Sequence, residues 1–348
     1  MKKLLVLFFL VMVTATVAIT ATAAATYGDL TYEVSNDEVA ITDCSDYATT
    51  VIIPETIEGY PVKSIGHGAF AGCTSLSSVT IGENVTSIGS YAFDNCENLT
   101  GITIPGSITS IGECAFRSCL SLATLTISEG VKSIGKSAFS DCTSLTIINI
   151  PSSVVNIGEI AFSGCTGLSS ITIPDSVVSM GGGVFRSCTG LSSVKLPSNL
   201  ARIGDSTFYS CYSLSSITIP DSVTNIGKEA FFNCSSLAKV TFGSGVKNIG
   251  SEAFSNCTSL TYIVIPEGVT SIAYSTFYNC THLKGITIPD SVTNIGGSAF
   301  WFCTNLTDVT IPDSVTNISD YAFRSCTSIK EITIPKSVTN IGNIAHGF

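Results

Sequence analysis

IPDSVTNIGGSAFWFCTNLTDVT, running from Ile288 to Thr310, decides how this 348-residue chain is read. Val309, Thr310 and Ile311 alternate apolar and polar and then meet Pro312, which has no N–H for a ladder. That pattern predicts a short strand with its apolar residues inward. Val292 and Ile295 keep apolar ends three apart and stop at Gly296, which permits a sharp corner. Ser298 to Cys303 suits one helical or 3-10 turn that drives Phe300 and Cys303 inward.

The same unit recurs without an insertion. Phe stands at 70, 93, 116, 139, 162, 185, 208, 231, 254, 277, 300 and 323, each 23 residues after the last. A Cys follows each Phe by three residues: Cys73, Cys96, Cys119, Cys142, Cys165, Cys188, Cys211, Cys234, Cys257, Cys280, Cys303 and Cys326. Three further on stands Leu, with Ile329 the one exception. A single unit buries too little apolar surface to offset the entropy of ordering its own backbone, so the units must stack. The expected fold is a β-dominated solenoid of twelve 23-residue coils, with stacked short parallel strands and short helical or 3-10 turns. At about 4.8 Å per coil it is roughly 60 Å long.

Both ends depart from the period. Residues 1–25, MKKLLVLFFLVMVTATVAITATAAA, carry two lysines, an apolar run from Leu4 to about Val17 and small residues at Ala23-Ala24-Ala25. This order predicts an export signal cut near Ala25, with an uncleaved membrane anchor as the competing reading. Residues 26–65 are expected to form an N-terminal β cap and an irregular first coil. Thr31 to Val34 and Val39 to Ile41 would be strands around Ser35-Asn36-Asp37, and IPETIEGYPVKSIG a bulging loop. The solenoid proper spans 66–348. The sequence stops inside a thirteenth unit, with His346 where Phe is expected, so either the last coil is open or the chain continues in something longer.

Lys+Arg 16 against Asp+Glu 26 leaves a formal charge of −10. Such a chain has no field to gather phosphate backbones, so nucleic acid is excluded as the expected partner. No segment after the signal is long and apolar enough to span a bilayer.

The repeat resembles the BspA-like leucine-rich repeat proteins, also called the Treponema pallidum type. The motif Cys-x-x-Leu-x-x-Ile-x-Ile-Pro-x-x-Val-x-x-Ile-Gly-x-x-Ala-Phe runs here from Cys280 to Phe300 as CTHLKGITIPDSVTNIGGSAF, and the likeness extends over residues 51–348. The resemblance implies a leucine-rich repeat solenoid on a secreted or surface protein. Members of that class bind host or matrix proteins such as fibronectin and fibrinogen. Its repeated residues are scaffold, so no binding residue carries over by motif.

Candidate chemistry is sparse. The twelve Cys in one register read as a buried, reduced thiol ladder, since free Cys behaves as a small hydrophobe with a weak donor. Neighbouring sulfurs point the same way, and a metal needs four ligands converging on a point. Cys44 and Cys114 lie outside the ladder and are the thiols expected to be reactive or paired. His67, His282 and His346 pair with no nucleophile at a recognisable spacing, and no G-x-S-x-G, H-E-x-x-H or phosphate loop occurs. No enzyme and no cofactor is expected. Sequons at Asn84, Asn98, Asn233, Asn256, Asn279, Asn305 and Asn317 read as by-products of the repeat.

Recognition has two candidate surfaces. The position after the repeated Phe is small or charged in early coils but becomes Tyr209, Phe232, Tyr278 and Trp301 later, with Tyr212, Tyr274 and Phe302 nearby. These rings either present apolar surface to a protein or a sugar ring, or pack on each other and brace neighbouring coils. On the strand face, Lys195, Lys239 and Tyr262 break an otherwise neutral Thr/Ser surface and form a second patch. The expected function is extracellular protein binding or adhesion. A structural spacer is the alternative, with a glycan-binding module or a hydrolase behind it.

Overall fold

The computed structural model describes residues 24–343 and 346–347. The expected signal therefore lies outside the described residues except for Ala24 and Ala25. Strand β1 (Ala25–Tyr27) pairs antiparallel with β2 (Leu30–Ser35), which pairs antiparallel with β3 (Glu38–Cys44). Asn36 and Asp37 close that second hairpin with φ of 53° and 61°, the left-handed pair that matches strand twist. β4 (Thr50–Ile53), β5 (Thr56–Ile57) and β6 (Tyr60–Ile65) follow, and the loop predicted to bulge is the β5–β6 hairpin.

From here the chain winds in coils. β3 pairs parallel with β6, and β6 with Ser87–Ile88; the line continues one short strand per coil to Ser179–Met180, making a sheet of ten strands with β5. A second face starts at β4 and runs through Ser78–Ile81, Gly101–Ile104 and Thr124–Ile127 to Ile148–Asn149. Beyond that point the second face breaks into short sheets: 170–172 with 193–195, 216–218 with 239–241, and 262–264 with 285–287 and 308–309. Beyond an irregularity at Val39/Ala40 and the longer first coil, partners in these parallel ladders stand 23 residues apart, because a slip of one residue would turn every inward Ile out to solvent.

The third face corrects the expected helical turn. Among the described residues there is no α-helix or 3-10 segment. Between Ser298 and Cys303 the N–H groups alternate. Those of Ala299, Trp301 and Cys303 donate to carbonyls three residues back, whereas those of Ser298, Phe300 and Phe302 donate to Asp320, Ala322 and Arg324 in the next coil. Ser298 and Phe302 sit at φ 57° and 64°, in the left-handed region, which breaks any helical run. Stacking thus takes half of the donors that a helix would use internally.

Inside, the twelve Phe rings form one column, with centroids 4.7–5.9 Å apart and planes within 3–14° of parallel. The corner glycines have a different reason than expected. Gly112 and Gly296 are not in the left-handed region; a Cβ on Gly112 would come within 2.5 Å of the backbone of Gly89 in the preceding coil. Close approach of stacked corners, not a sharp turn, requires Gly there.

Candidate functional site

Outward residues of the strand face are mostly Ser and Thr, and at two neighbouring coils they become Lys239 and Tyr262. The inward position that holds Ile219 and Ile265 in the flanking coils is Phe242, and Gly243 replaces the usual Pro. Phe242 is bulkier than the Ile it replaces and packs only partly buried against the core. It turns edge-on to Phe254 at 5.8 Å and 90°, and its side chain stays partly exposed. The ladder between 239–241 and 262–264 is missing at this point. A depression of about 770 Å³ opens there, lined by Lys239, Phe242, Tyr262 and Val264, with Asp221 and Glu267 at its edge. Tyr262 and Val264 are 60% and 64% exposed, so this is apolar surface facing water.

The structure brings Lys239 and Tyr262 together but leaves Lys195 apart. Lys195 pairs with Thr172 in an earlier sheet, outside the depression; nearby, the Ser198 N–H and hydroxyl hold Asp175 below its ordinary value, with a smaller contribution from the Lys195 charge. Two smaller depressions, of about 380 and 370 Å³, lie on the same face around Thr103 and around Thr287.

On the flank, the column after each Phe reads Arg186, Tyr209, Phe232, Ser255, Tyr278, Trp301, Arg324. Tyr209 stacks on Phe232 at 4.9 Å and 9°, and the Arg186 guanidinium lies 4.3 Å over Tyr209. Tyr278 meets Trp301 edge-on at 5.7 Å, and Arg324 covers Trp301 at 4.9 Å. The rings do pack on each other between coils. Phe302 joins Tyr278 and Trp301 at 6.0 and 5.4 Å, while Tyr212 stands apart, its hydroxyl 3.5 Å from Asn233 Nδ2. Phe232, Tyr274, Tyr278 and Trp301 share a depression of about 370 Å³ with Glu252 and Ser255. Trp301 Nε1 is buried and has no acceptor among the described residues.

Arg186, Arg324, Glu252 and the break at Ser255 went unread in the sequence. The register that singled out the aromatics also held the arginines, and that was the available signal. Phe242 for Ile was the corresponding signal on the strand face.

The ladder cysteines are all free and buried. From Cys96 to Cys326, each Sγ donates to the carbonyl of the Phe 26 residues earlier, at 3.0–3.2 Å. Cys44 meets Cys73, whose Sγ lies 4.0 Å from the Cys44 carbonyl. The neighbouring Cys73 thiol and burial push Cys44 up. Cys114 lies instead against Tyr91, whose hydroxyl it pushes up. His67 packs edge-on to Tyr91 at 5.3 Å, and His282 Nδ1 is 2.7 Å from the Thr258 carbonyl. The side chain of His346 lies outside the described residues. No group of three or more His, Cys, Asp or Glu among the described residues is placed to hold a metal. Among them, too, no helix is long and apolar enough to cross a membrane.

The family model for the BspA type Leucine rich repeat region (6 copies) matches residues 43–168, 109–238, 156–280 and 247–346. A leucine-rich repeat protein from Bacteroides ovatus is 31% identical with a TM-score of 0.74, over 91% of this chain and 90% of that one. A leucine rich cell surface protein from Faecalibacterium prausnitzii is 30% identical with a TM-score of 0.50, over 92% and 95%. A leucine-rich repeat protein from Eubacterium ventriosum shares the fold at 23% identity and a TM-score of 0.57, over 92% of each chain. No curated protein matches the chain. Leucine-rich repeat proteins of this kind are generally protein-interaction scaffolds and typically non-catalytic. With matches that run almost unbroken from the cap to the last coil, the chain belongs to the BspA type leucine-rich repeat family.

Proposed function

We propose that the chain is an exported, non-catalytic adhesion module that engages an extracellular protein through its strand face. The observation that carries this reading is the break beside Phe242. It has Tyr262 and Val264 exposed side by side on one strand around a depression of about 770 Å³, where most outward positions of the face are Ser or Thr and its other exposed aliphatics, Ile52 and Ile147, stand singly. An apolar floor with Lys239 at one side and the carboxylates of Asp221 and Glu267 at the other suits an extended protein segment better than a uniform surface would. Export is supported by the paired lysines, the apolar run and the small residues of 1–25.

Fibronectin and fibrinogen, immobilised separately, are the probes for residues 26–348. Saturable binding to either that is lost in the double variant Lys239→Ala/Tyr262→Ala, with unchanged thermal unfolding, supports the reading. Binding that survives the double variant removes the strand face from it. Absence of binding to both leaves the spacer reading as the better account.

A further inference from the structure

The aromatic column on the flank has one missing member. It runs Arg186, Tyr209, Phe232, then Ser255, then Tyr278, Trp301 and Arg324, so a cation covers each end and a small buried residue interrupts the middle. Phe232 lies nearly parallel to Tyr209, at 9°, and its opposite face therefore looks toward the coil of Ser255, where no ring meets it. The depression of about 370 Å³ starts at that place and reaches from Phe232 over Ser255 and Asn256 to Tyr278 and Trp301. Two coil spacings separate Phe232 and Tyr278, about 9.6 Å, so a planar group midway has about 4.8 Å to each side. That is the spacing at which the chain stacks its own rings and arginines, from 4.3 Å for Arg186 on Tyr209 to 4.9 Å for Tyr209 on Phe232.

We infer that this gap is a slot for the guanidinium group of an arginine on a partner protein. The inference rests on reading the chain as a protein-binding module, but it concerns a different face from the strand-face depression. Charge selects the occupant. Glu252 lines the slot, and its carboxylate is only loosely held: Lys228 Nζ is 4.0 Å from it and is engaged by Glu229 at 2.9 Å. The whole chain carries −10. A guanidinium is planar, weakly hydrated and always charged, so it can stack on Phe232 and face Glu252 at once. A lysine ammonium is a compact, strongly hydrated point and stacks less well. A neutral sugar ring would add no positive charge beside the carboxylate, whose nearest cation is Lys228 at 4.0 Å.

Trp301 lines the slot and is the single tryptophan of the chain, so its fluorescence reports occupancy. The probes are blocked peptides Gly-Arg-Gly, Gly-Lys-Gly and Gly-Phe-Gly, together with a neutral disaccharide. The expected result is a saturable change with the arginine peptide, at least about tenfold tighter than with the lysine peptide. Ser255→Phe, which supplies the missing ring, abolishes the change, and Ser255→Ala keeps it. Glu252→Gln weakens it, and decides the matter if Ser255→Phe fails to fold. Lys239→Ala/Tyr262→Ala leaves it intact, which separates this slot from the strand face. Equal response to arginine and lysine, preference for the phenylalanine peptide or the sugar, or indifference to Ser255→Phe or Glu252→Gln overturns the inference.

Discussion

The thiol of Cys257 donates to the carbonyl oxygen of Phe231 at 3.2 Å, and the same oxygen accepts the N–H of Cys234 within its own coil. One carbonyl thus ties a turn to itself and to the coil that follows. Repetition of this contact stitches the Cys column to the Phe column along the solenoid.

Cys257→Ala removes the second bond and leaves a small void beside fully buried neighbours. The expected loss is roughly 1–3 kcal/mol in denaturant unfolding. An unchanged midpoint would mean that the thiol ladder is filler with no energetic part.

Burial pushes Cys119, Cys234, Cys280 and Cys326 up to about 12 from an ordinary 9.0. Unfolded, these thiols ionise near the ordinary value, so above it the unfolded chain releases protons that the folded chain keeps. Stability is therefore complete below pH 9.0 and falls as pH climbs toward 12. The slope is about 1.4 kcal/mol per pH unit for each such thiol. A urea midpoint that stays level through this window contradicts the prediction. In native protein at neutral pH the same thiols should resist alkylation, and after denaturation all 14 should react.

Gly112→Ala places a methyl 2.5 Å from the carbonyl carbon and oxygen of Gly89, which are backbone and cannot rotate away. The coils must separate locally. A cost of roughly 1–3 kcal/mol is expected, read as a lowered unfolding midpoint with the β signal in circular dichroism retained. Stability equal to the parent would show that the corner has slack.

Tyr209→Ala and Tyr262→Ala should behave oppositely. Tyr209 is held between Arg186 and Phe232, so its truncation is expected to cost about 1–2 kcal/mol of stability. Tyr262 is 60% exposed, and its loss should change stability by less than about 0.5 kcal/mol while removing partner binding. Equal stability losses would place both rings in the scaffold.

The repeat was legible because period and burial are properties of the chain alone. Phe300, Cys303, Leu306, Val292 and Ile295 each have one register in which they can be buried, and copies of that solution 23 residues apart must stack. The strands, their parallel order and the buried column follow from that.

What sequence could not convey depends on residues one or two coils away. Ser298 and Phe302 take left-handed backbones so that alternate N–H groups reach the next coil, a choice invisible in a single unit that also suits a helical turn. Phe242 reads as one more apolar residue, and only the packed structure shows it edge-on to Phe254 and part-exposed in the wall of the strand-face depression. Ser255 reads as an ordinary small residue, and becomes a gap only because Phe232 and Tyr278 flank it from positions 23 residues to either side. Composition and spacing determine which side chains leave water; three-dimensional neighbours decide where the stacking fails, and those failures are where the surface acquires shape.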